Sequence, residues 1–303
     1  FDADPRSFAI TGGADSGLFN IDVNTGALTF LAAPNFETPL DAGADNIYDV
    51  EVTVTDSFGG TDVQAITVEV QDVDEIFIVT TELDVVDAND GKLSLREAIT
   101  LANANADAST ILFDASLAGK TITLTSDALA ITSDLSIDGD VNGDDKADVT
   151  ISGDGKSRVF NIGGTAEDVD LLSLTLTGGN AGSGDGGAIY AAGITSLTIA
   201  DTTISGSKAD EGGGVSLLSS GLNMVNSLLS GNSSGQFGGG IYLDNSTALL
   251  VNSTVYGNGS GYNGGGVSAY SSSLTLQNST ISGNQANYAG GIENFKSTLT
   301  VIN

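Results

Sequence analysis

An internal repeat is the feature of this sequence that most constrains its fold. Similar six-residue segments that end in glycine begin at Asp201, Asn226, Asn252 and Asn278, which are 25, 26 and 26 residues apart. A second segment, built around paired glycines such as Gly239-Gly240, recurs at the same step. Repeats of this length bury a core only by stacking on their neighbours, so the sequence predicts a solenoid.

Alternation within each repeat indicates short strands. Apolar residues stand four and two positions before the repeated segment, as Leu222 and Met224 do before Asn226. The same parity predicts that the asparagines point inward and that their amides form a ladder along the axis; they are Asn226, Asn252 and Asn278. We therefore predict an all-β fold in which residues 119–303 form a parallel β-helix of 25–26 residues per coil, with glycines at corners where a Cβ would not fit.

Charge and composition restrict the available chemistry. The chain has 39 acidic and 9 basic residues, a formal net charge of −30, and neither cysteine nor histidine. Such a surface repels phosphate backbones, so we expect no nucleic-acid partner. Disulfides, thiolate chemistry and typical zinc sites are excluded, and calcium held by oxygen ligands is the expected cofactor. No apolar run is long enough for this segment to insert into a membrane.

Residues 1–75 have the pattern of half-buried strands separated by turns. Asp22-Val23-Asn24-Thr25-Gly26 stands between two apolar stretches, which predicts a hairpin. Together with Asn35-Phe36-Glu37, Val52-Thr53-Val54-Thr55-Asp56 and the segment 68–75, it resembles a bacterial cadherin repeat. The resemblance implies a cadherin-like β-sandwich, which we expect to lack its first strand.

In cadherin repeats calcium binds at the junctions between repeats, and the resemblance implies two sets of ligands here. The upper set is Asp2, Asp4 and Asp56. The lower set is Glu37, Asp72 and Glu75, with Asp74 offering its backbone carbonyl. Asn35 and Glu75 each replace an aspartate of the family pattern, so solvated linker acids remain the alternative for the lower set.

Residues 76–118 are expected to form a linker and capping segment. Ser94 with Glu97 three positions later is a capping box, which predicts a helix near residues 94–104. The segment 91–99 resembles the CSLREA motif that opens β-helical regions of large bacterial surface proteins, with Leu93 in place of its cysteine. The resemblance implies a right-handed β-helix, whose first coil the helix would cover.

The segment 138–148 is the strongest metal candidate outside the junctions. It resembles an EF-hand loop, and the resemblance implies Asp140, Asn142, Asp144 and Asp148 as side-chain ligands and Lys146 as a carbonyl donor. Ile151 stands where such loops place a bidentate glutamate. A solvated acidic corner is the alternative.

These observations favour a calcium-stabilised adhesive module of a secreted bacterial surface protein, located outside the cell. We expect as partners neighbouring repeats, other copies of the chain, or an extracellular polysaccharide or cell surface. Three tyrosines near turns are candidates for stacking on sugar rings: Tyr242, Tyr256 and Tyr262. A self-assembling filament or surface layer is one alternative.

A second alternative is a polysaccharide-degrading enzyme that resembles the pectate lyases. After Arg158 the only basic residues are Lys208 and Lys296, whereas a lyase needs a base. A hydrolase needs paired carboxylates, and the repeated segments are expected to carry no acid in a stacked position. We therefore expect that the chain is not an enzyme.

Overall fold

The structure is a computed structural model that describes residues 5–36, 38–71, 75–105 and 107–303. The chain divides into two compact units, Phe1–Val73 and Asp74–Asn303, and each has a hydrophobic core of its own. Within the described ranges, no helix has the length and apolar character needed to cross a membrane.

The described part of the first unit contains a 3-10 turn (Ser16–Leu18) and five strands: β1 (Ser7–Gly12), β2 (Phe19–Ile21), β3 (Leu28–Phe30), β4 (Ile47–Thr55) and β5 (Thr61–Glu69). β1, β4 and β5 form an antiparallel sheet with β4 in the centre, and β2 pairs with β3 in the predicted hairpin, which is confirmed. Phe30 joins the two sheets in the core, because its ring lies 4.4 Å from Phe19 and 5.1 Å from Tyr48.

The second unit contains one α-helix, α1 (Leu95–Ala102), a 3-10 turn (Ala115–Leu117) and a long series of short strands. In the described residues these strands are β6 (Glu75–Val79), β7 (Ser109–Phe113), β8 (Thr121–Thr123), β9 (Leu129–Ile131), β10 (Leu135–Asp138), β11 (Val149–Ser152), β12 (Phe160–Ile162), β13 (Asp168–Leu172), β14 (Leu174–Thr177), β15 (Ile189–Ala192), β16 (Ser196–Ala200), β17 (Thr203–Ser205), β18 (Lys208–Ala209), β19 (Val215–Leu218), β20 (Gly221–Val225), β21 (Leu228–Ser230), β22 (Ser233–Ser234), β23 (Ile241–Asp244), β24 (Thr247–Val251), β25 (Thr254–Tyr256), β26 (Gly259–Ser260), β27 (Val267–Tyr270), β28 (Ser273–Gln277), β29 (Thr280–Ser282), β30 (Ile292–Phe295) and β31 (Thr298–Ile302).

Three parallel sheets run along the second unit. Sheet 1 contains β6, β7, β10, β13, β16, β20, β24, β28 and β31; sheet 2 contains β8, β11, β14, β17, β21, β25 and β29; and sheet 3 contains β9, β12, β15, β19, β23, β27 and β30. The short strands β18, β22 and β26 form a fourth sheet. Equivalent residues of successive coils pair directly, as Leu222, Ala248 and Leu274 do. The predicted parallel β-helix is therefore confirmed.

Strands β6 and β7 belong to this stack, although they lie in the segment expected to link the two parts. They pair in parallel as the first two strands of sheet 1, with Phe77 beside Ile111. Alternate residues of β7 are buried, as in the later coils. The stacked strands therefore begin at Glu75 rather than at residue 119.

The predicted inward asparagine ladder at Asn226, Asn252 and Asn278 is wrong. All three residues are exposed and have left-handed backbone angles, with φ of 48°, 50° and 50°. A left-handed residue turns the chain at the corner and ends the period-two alternation that the prediction extended through it. The amides of Asn226 and Asn252 meet on the surface instead, where Asn252 Nδ2 lies 3.4 Å from Asn226 Oδ1.

At these corners the residue after the left-handed residue points inward, as the buried Ser227, Ser246 and Ser253 do, and such residues form the buried ladders. Between sheets 1 and 2, Ser253 Oγ accepts a bond from the backbone N–H of Ser227 at 3.1 Å. Between sheets 3 and 1, Ser272 Oγ accepts a bond from the N–H of Ser246 at 3.0 Å. The hydroxyls satisfy backbone groups that the corners take out of the sheets, as buried polar groups require.

At the corner after sheet 2 the inward residues are asparagines, which follow left-handed glycines. Asn258 Oδ1 accepts bonds from the backbone N–H and the Nδ2 of Asn232, at 2.9 and 3.0 Å. Asn284 Oδ1 accepts the equivalent bonds from Asn258, at 2.8 and 3.1 Å. Asn232 and Asn258 are each only 1% exposed. We call Asn232, Asn258 and Asn284 the amide ladder.

The steric explanation for the paired glycines is confirmed. Gly238 has φ of 61°, which favours glycine. A Cβ on Gly239 would collide with the carbonyl oxygens of Gly259 and Gly265, one of which belongs to the next coil's glycine pair. The glycines therefore let successive coils approach closely before sheet 3.

Helix α1 begins with the predicted capping box, which is confirmed. Ser94 Oγ accepts a bond from the Glu97 N–H at 3.2 Å, and Glu97 Oε2 accepts one from the Ser94 N–H at 2.9 Å. The buried face of α1, which includes Leu95 and Ile99, belongs to the same core as the coils. Arg96 does not take part in the cap but forms an ion pair with Asp84 at 2.7 Å.

Candidate functional site

A pocket on the outer face of sheet 3 collects aromatic and polar side chains. We call it the aromatic pocket. It has a volume of about 250 Å³, and its lining includes the rings of Phe237, Tyr242, Tyr262, Tyr270 and Phe295 and the polar side chains of Asn263, Ser268 and Glu293. Strands β23, β27 and β30 each contribute to it, so three coils build the pocket and no single repeat contains it.

The register of sheet 3 places these side chains together. Tyr242 pairs with Ser268 and Ser268 with Glu293, so the three form one row along the axis. Two positions further along the strands, Tyr270 pairs with Phe295. Residues two apart on a strand share a face, and neighbouring strands lie about 4.8 Å apart. The two rows therefore form a continuous outer surface.

Contacts between the rings hold this surface in place. Tyr270 and Phe295 stack with centroids 5.2 Å apart, and Phe237 meets Tyr262 edge-on at 5.6 Å. Tyr262 also contacts Tyr288 at 5.2 Å. Tyr262 and Tyr270 nevertheless remain 49% and 41% exposed. The pocket therefore presents ordered rings that a ligand can reach.

The polar side of the pocket is arranged around Glu293. Its Oε1 accepts a bond from Asn263 Nδ2 at 2.6 Å, and its Oε2 accepts one from Ser268 Oγ at 2.7 Å. An ionised carboxylate only accepts hydrogen bonds, so this contact fixes which amide atom of Asn263 is the nitrogen. Asn263 Oδ1 is then buried without a hydrogen-bond partner among the described residues.

An acidic patch borders the pocket through Tyr242; it consists of Asp185, Asp210 and Glu211. Burial, followed by the charges of Asp185 and Asp210, raises the pKa of Glu211 to about 6. Burial, followed by the charge of Glu211, raises the pKa of Tyr242. The Gly212 N–H bonds the Phe237 carbonyl, so Glu211 lies one coil from the pocket wall.

Two of the three predicted glycan-binding tyrosines meet in the pocket. Tyr242 and Tyr262 line it, whereas Tyr256 is an exposed residue of sheet 2 outside it. The sequence prediction missed Glu293 and Asn263. A signal existed, because Glu293 follows its glycine pair at the same distance as Tyr242 does. The expectation about stacked acids concerned the repeated segments, and Glu293 stands one residue after the segment Gly290-Gly291-Ile292, where it pairs directly with Ser268.

The structure brings three of the predicted calcium ligands together in the loop after β10. Carboxylate oxygens of Asp140, Asp144 and Asp148 lie within 4.8 Å of one another. Two oxygens that bind one Ca²⁺ at 2.3–2.6 Å can lie up to about 5 Å apart, so the three carboxylates fit one ion. Asn142 lies among them, with its Nδ2 donating to Asp148 Oδ2 at 2.7 Å.

Other groups of the loop already bond to these carboxylates. Burial acts to raise the pKa of Asp140, but backbone N–H groups, including those of Asp145 and Asn142, lower it. Lys146 Nζ forms an exposed ion pair with Asp144 at 2.7 Å. Calcium would therefore compete with the Lys146 ammonium group for Asp144.

Most of the predicted junction ligands, namely Asp2, Asp4, Glu37, Asp72 and Asp74, lie outside the described residues. Asp56 caps the turn between β4 and β5, where its Oδ1 accepts bonds from the N–H groups of Phe58 and Gly60 at 2.9 and 2.7 Å. Glu75 begins β6 and accepts a bond from Asn105 Nδ2 at 3.2 Å.

Comparison with known proteins gives one match. A family profile described as the right handed beta helix region matches residues 147–303, which is more than half of the chain. No curated protein and no solved structure matches it.

Proposed function

This chain belongs to the right handed beta helix region family, and from that premise we propose that it is an extracellular adhesive module of a large secreted bacterial surface protein. In this proposal the β-helix is a stiff shaft that carries the aromatic pocket on its side. The pocket binds a glycan of a cell surface or of an extracellular matrix. The observation that carries the proposal is the pocket itself.

The pocket suits sugars for a physical reason. The apolar face of a sugar ring stacks on aromatic side chains, and rings that are already ordered lose little freedom on binding. The backbone of Tyr262 is held by the bond from its N–H to the Gln236 carbonyl. Tyr270 is held by pairing with strands on both sides of β27. Binding would therefore need little rearrangement.

Calcium enters the proposal as a stabiliser of the fold. The three convergent carboxylates of the loop at Asp140 support this role. The proposal also includes the cadherin-like identity of residues 1–75, supported by the hairpin and the antiparallel sheet, and a capping role for α1, supported by its buried face. Export before folding suits a chain without cysteine that folds around calcium only outside the cell.

Binding to immobilised glycans tests the proposal. We expect the protein to be retained on at least one polysaccharide, and Tyr262→Ala to weaken its affinity about 10-fold, since stacking contributes about 1 kcal/mol beyond the buried area. Tyr256→Ala is the matched control, because it removes an exposed tyrosine outside the pocket. Equal losses in the two variants, or no retention of the wild-type protein, would refute glycan binding through this pocket.

One observation favours a second candidate function, polysaccharide hydrolysis. A glycosidase needs a carboxylic acid that keeps its proton near neutral pH and a second carboxylate nearby. Glu211, with its pKa of about 6, is the candidate acid, and Asp185 is the candidate second carboxylate. Assay of new reducing ends during incubation with a bound glycan separates the functions. Release that Glu211→Gln abolishes would support the hydrolase, and none at saturating binding would support adhesion.

A further inference from the structure

We infer that the aromatic pocket selects a cationic amino sugar, that is, a polysaccharide whose rings carry free, protonated amines. This inference rests on the proposed glycan binding and names the class of glycan. Three properties of the pocket lead to it: a carboxylate with unused acceptor capacity, an excess of negative charge, and flat aromatic walls.

The first property is the unused acceptor capacity of Glu293. An ionised carboxylate has about four acceptor sites on its two oxygens. Glu293 Oε1 accepts one bond from Asn263 Nδ2, and Oε2 accepts one from Ser268 Oγ. A ligand with an N–H or O–H group can therefore donate to Glu293, which lines the pocket. Around Glu293 the pocket therefore offers acceptors.

The second property is charge. Glu293 lies in the pocket itself, and Glu211 and Asp185 follow in the same stack of coils, each one coil further from Phe237. Two cations lie close by, Lys296, whose Nζ is 5.3 Å from the Phe295 ring, and Arg158 beside Asp185, and each offsets part of this charge. The chain as a whole has an excess of 30 negative charges. A polyuronate or a sulfated glycan would be repelled, whereas an ammonium group would be attracted.

The third property excludes simpler cations. Aromatic walls attract any organic cation through the faces of their rings. A quaternary ammonium group, however, has no hydrogen to donate to the Glu293 carboxylate. A metal ion would make no use of the rings. A sugar ring with a protonated amine satisfies both the rings and the carboxylate.

A comparison of four soluble probes tests this inference by titration calorimetry on the whole chain. The probes are a glucosamine tetramer, an N-acetylglucosamine tetramer, a β-1,4-glucose tetramer and choline. We expect the glucosamine tetramer to bind at least about 10-fold more tightly than the other three, because a hydrogen bond to a charged group is worth about 1.5–3 kcal/mol. High salt should reduce this ratio.

Glu293→Gln is the diagnostic variant, and Glu167→Gln, at an exposed acid outside the pocket, is its control for net charge. We expect Glu293→Gln to bring the ratio between the affinities for the glucosamine and N-acetylglucosamine tetramers close to one, and Glu167→Gln to leave that ratio unchanged. Equal binding of the acetylated or glucose tetramer by the wild-type protein would overturn the amino-sugar inference and leave glycan binding standing. Binding of choline with the same affinity as the glucosamine tetramer would also overturn the amino-sugar inference. Failure of every probe, together with no retention on any polysaccharide, would overturn both proposals.

Discussion

Replacement of Asn258 by alanine tests whether the amide ladder stabilises the β-helix. Asn258 is 1% exposed, and its side chain makes four hydrogen bonds. Two reach its Oδ1 from Asn232, and its Nδ2 donates to the Leu229 carbonyl and to Asn284 Oδ1, both at 3.1 Å. Alanine removes all four bonds at once and keeps the backbone of residue 258 unchanged.

The expected loss of stability follows from these bonds. Each contributes about 1 kcal/mol net, and a buried group left without a partner costs about 1–3 kcal/mol. The Asn232 N–H loses its acceptor, whereas Asn284 Oδ1 keeps the bond from the backbone N–H of residue 258. We therefore expect Asn258→Ala to lower the free energy of unfolding by about 3–5 kcal/mol.

Asn252→Gly is the matched control. Asn252 is exposed with φ of 50°, which glycine adopts readily, and its amide makes only a long surface contact to Asn226. The expected change is below about 0.5 kcal/mol. Urea unfolding followed by circular dichroism measures both variants, provided that the slope of the transition stays constant.

Hydrogen exchange at the Asn232 amide provides a second measurement. In Asn258→Ala this amide should exchange faster than in the wild-type protein, while amides several coils away, such as Ile137, should change much less, because each coil contacts only its neighbours. A loss below 1 kcal/mol with unchanged exchange at Asn232 would refute the reasoning. Such a result would mean that water or a local shift of the chain replaces the hydrogen bonds of the Asn258 amide without loss of stability.

Three further predictions concern the corners, the acidic patch and the metal loop. Gly239→Ala should destabilise the protein by about 2–4 kcal/mol in urea unfolding, because its Cβ collides with two backbone carbonyls; a neutral result would mean that the coils separate easily. Glu211 holds its proton to a pKa of about 6 in the folded state, against 4.5 in the reference state, so wild-type stability should fall as pH rises between these values. Glu211→Gln should remove that fall, which is about 1 kcal/mol after allowance for partial exposure; identical pH profiles would contradict this. Calcium should raise the melting temperature in thermal scans. At a calcium concentration of 100 times its Kd, the free energy of unfolding should increase by about 2.7 kcal/mol. That rise should vanish in Asp140→Asn but persist in Asp168→Asn, and no rise in the wild-type protein would exclude a stabilising ion.

The repeat was sufficient to predict the β-helix, and the corners show where prediction from sequence failed. Alternation of Leu222 and Met224 identified the core-facing positions correctly, since period-two burial holds within a strand. It failed at Asn226, because one left-handed residue changes which side chain points inward. The phrase Gly-Asn recurs at Gly231-Asn232, Gly257-Asn258 and Gly283-Asn284, and it carried the correct signal for the amide ladder.

The candidate site was less accessible from sequence. Tyr242 and Tyr262 were identified as aromatic residues near turns, but their meeting with Glu293 depends on which strand of sheet 3 lies next to which. The unpartnered oxygen of Asn263 depends on a side-chain orientation that cannot be predicted from the sequence pattern. The three carboxylates of the metal loop, by contrast, are close in sequence, and the resemblance of that segment to an EF-hand loop was sufficient to predict that they converge.

The corner ladders also bear on how such a protein changes in length. The backbone N–H of each ladder residue donates to the side chain of the equivalent residue one coil away, so every pair of adjacent coils is connected in the same way. Duplication or deletion of one 26-residue coil, the spacing of Asn232 and Asn258, would rejoin a ladder residue to another of the same kind. The length of the shaft could thus vary by whole coils through recombination within the gene. The outward residues, among them those of the aromatic pocket, are free to diverge from coil to coil, because the ladders do not use them.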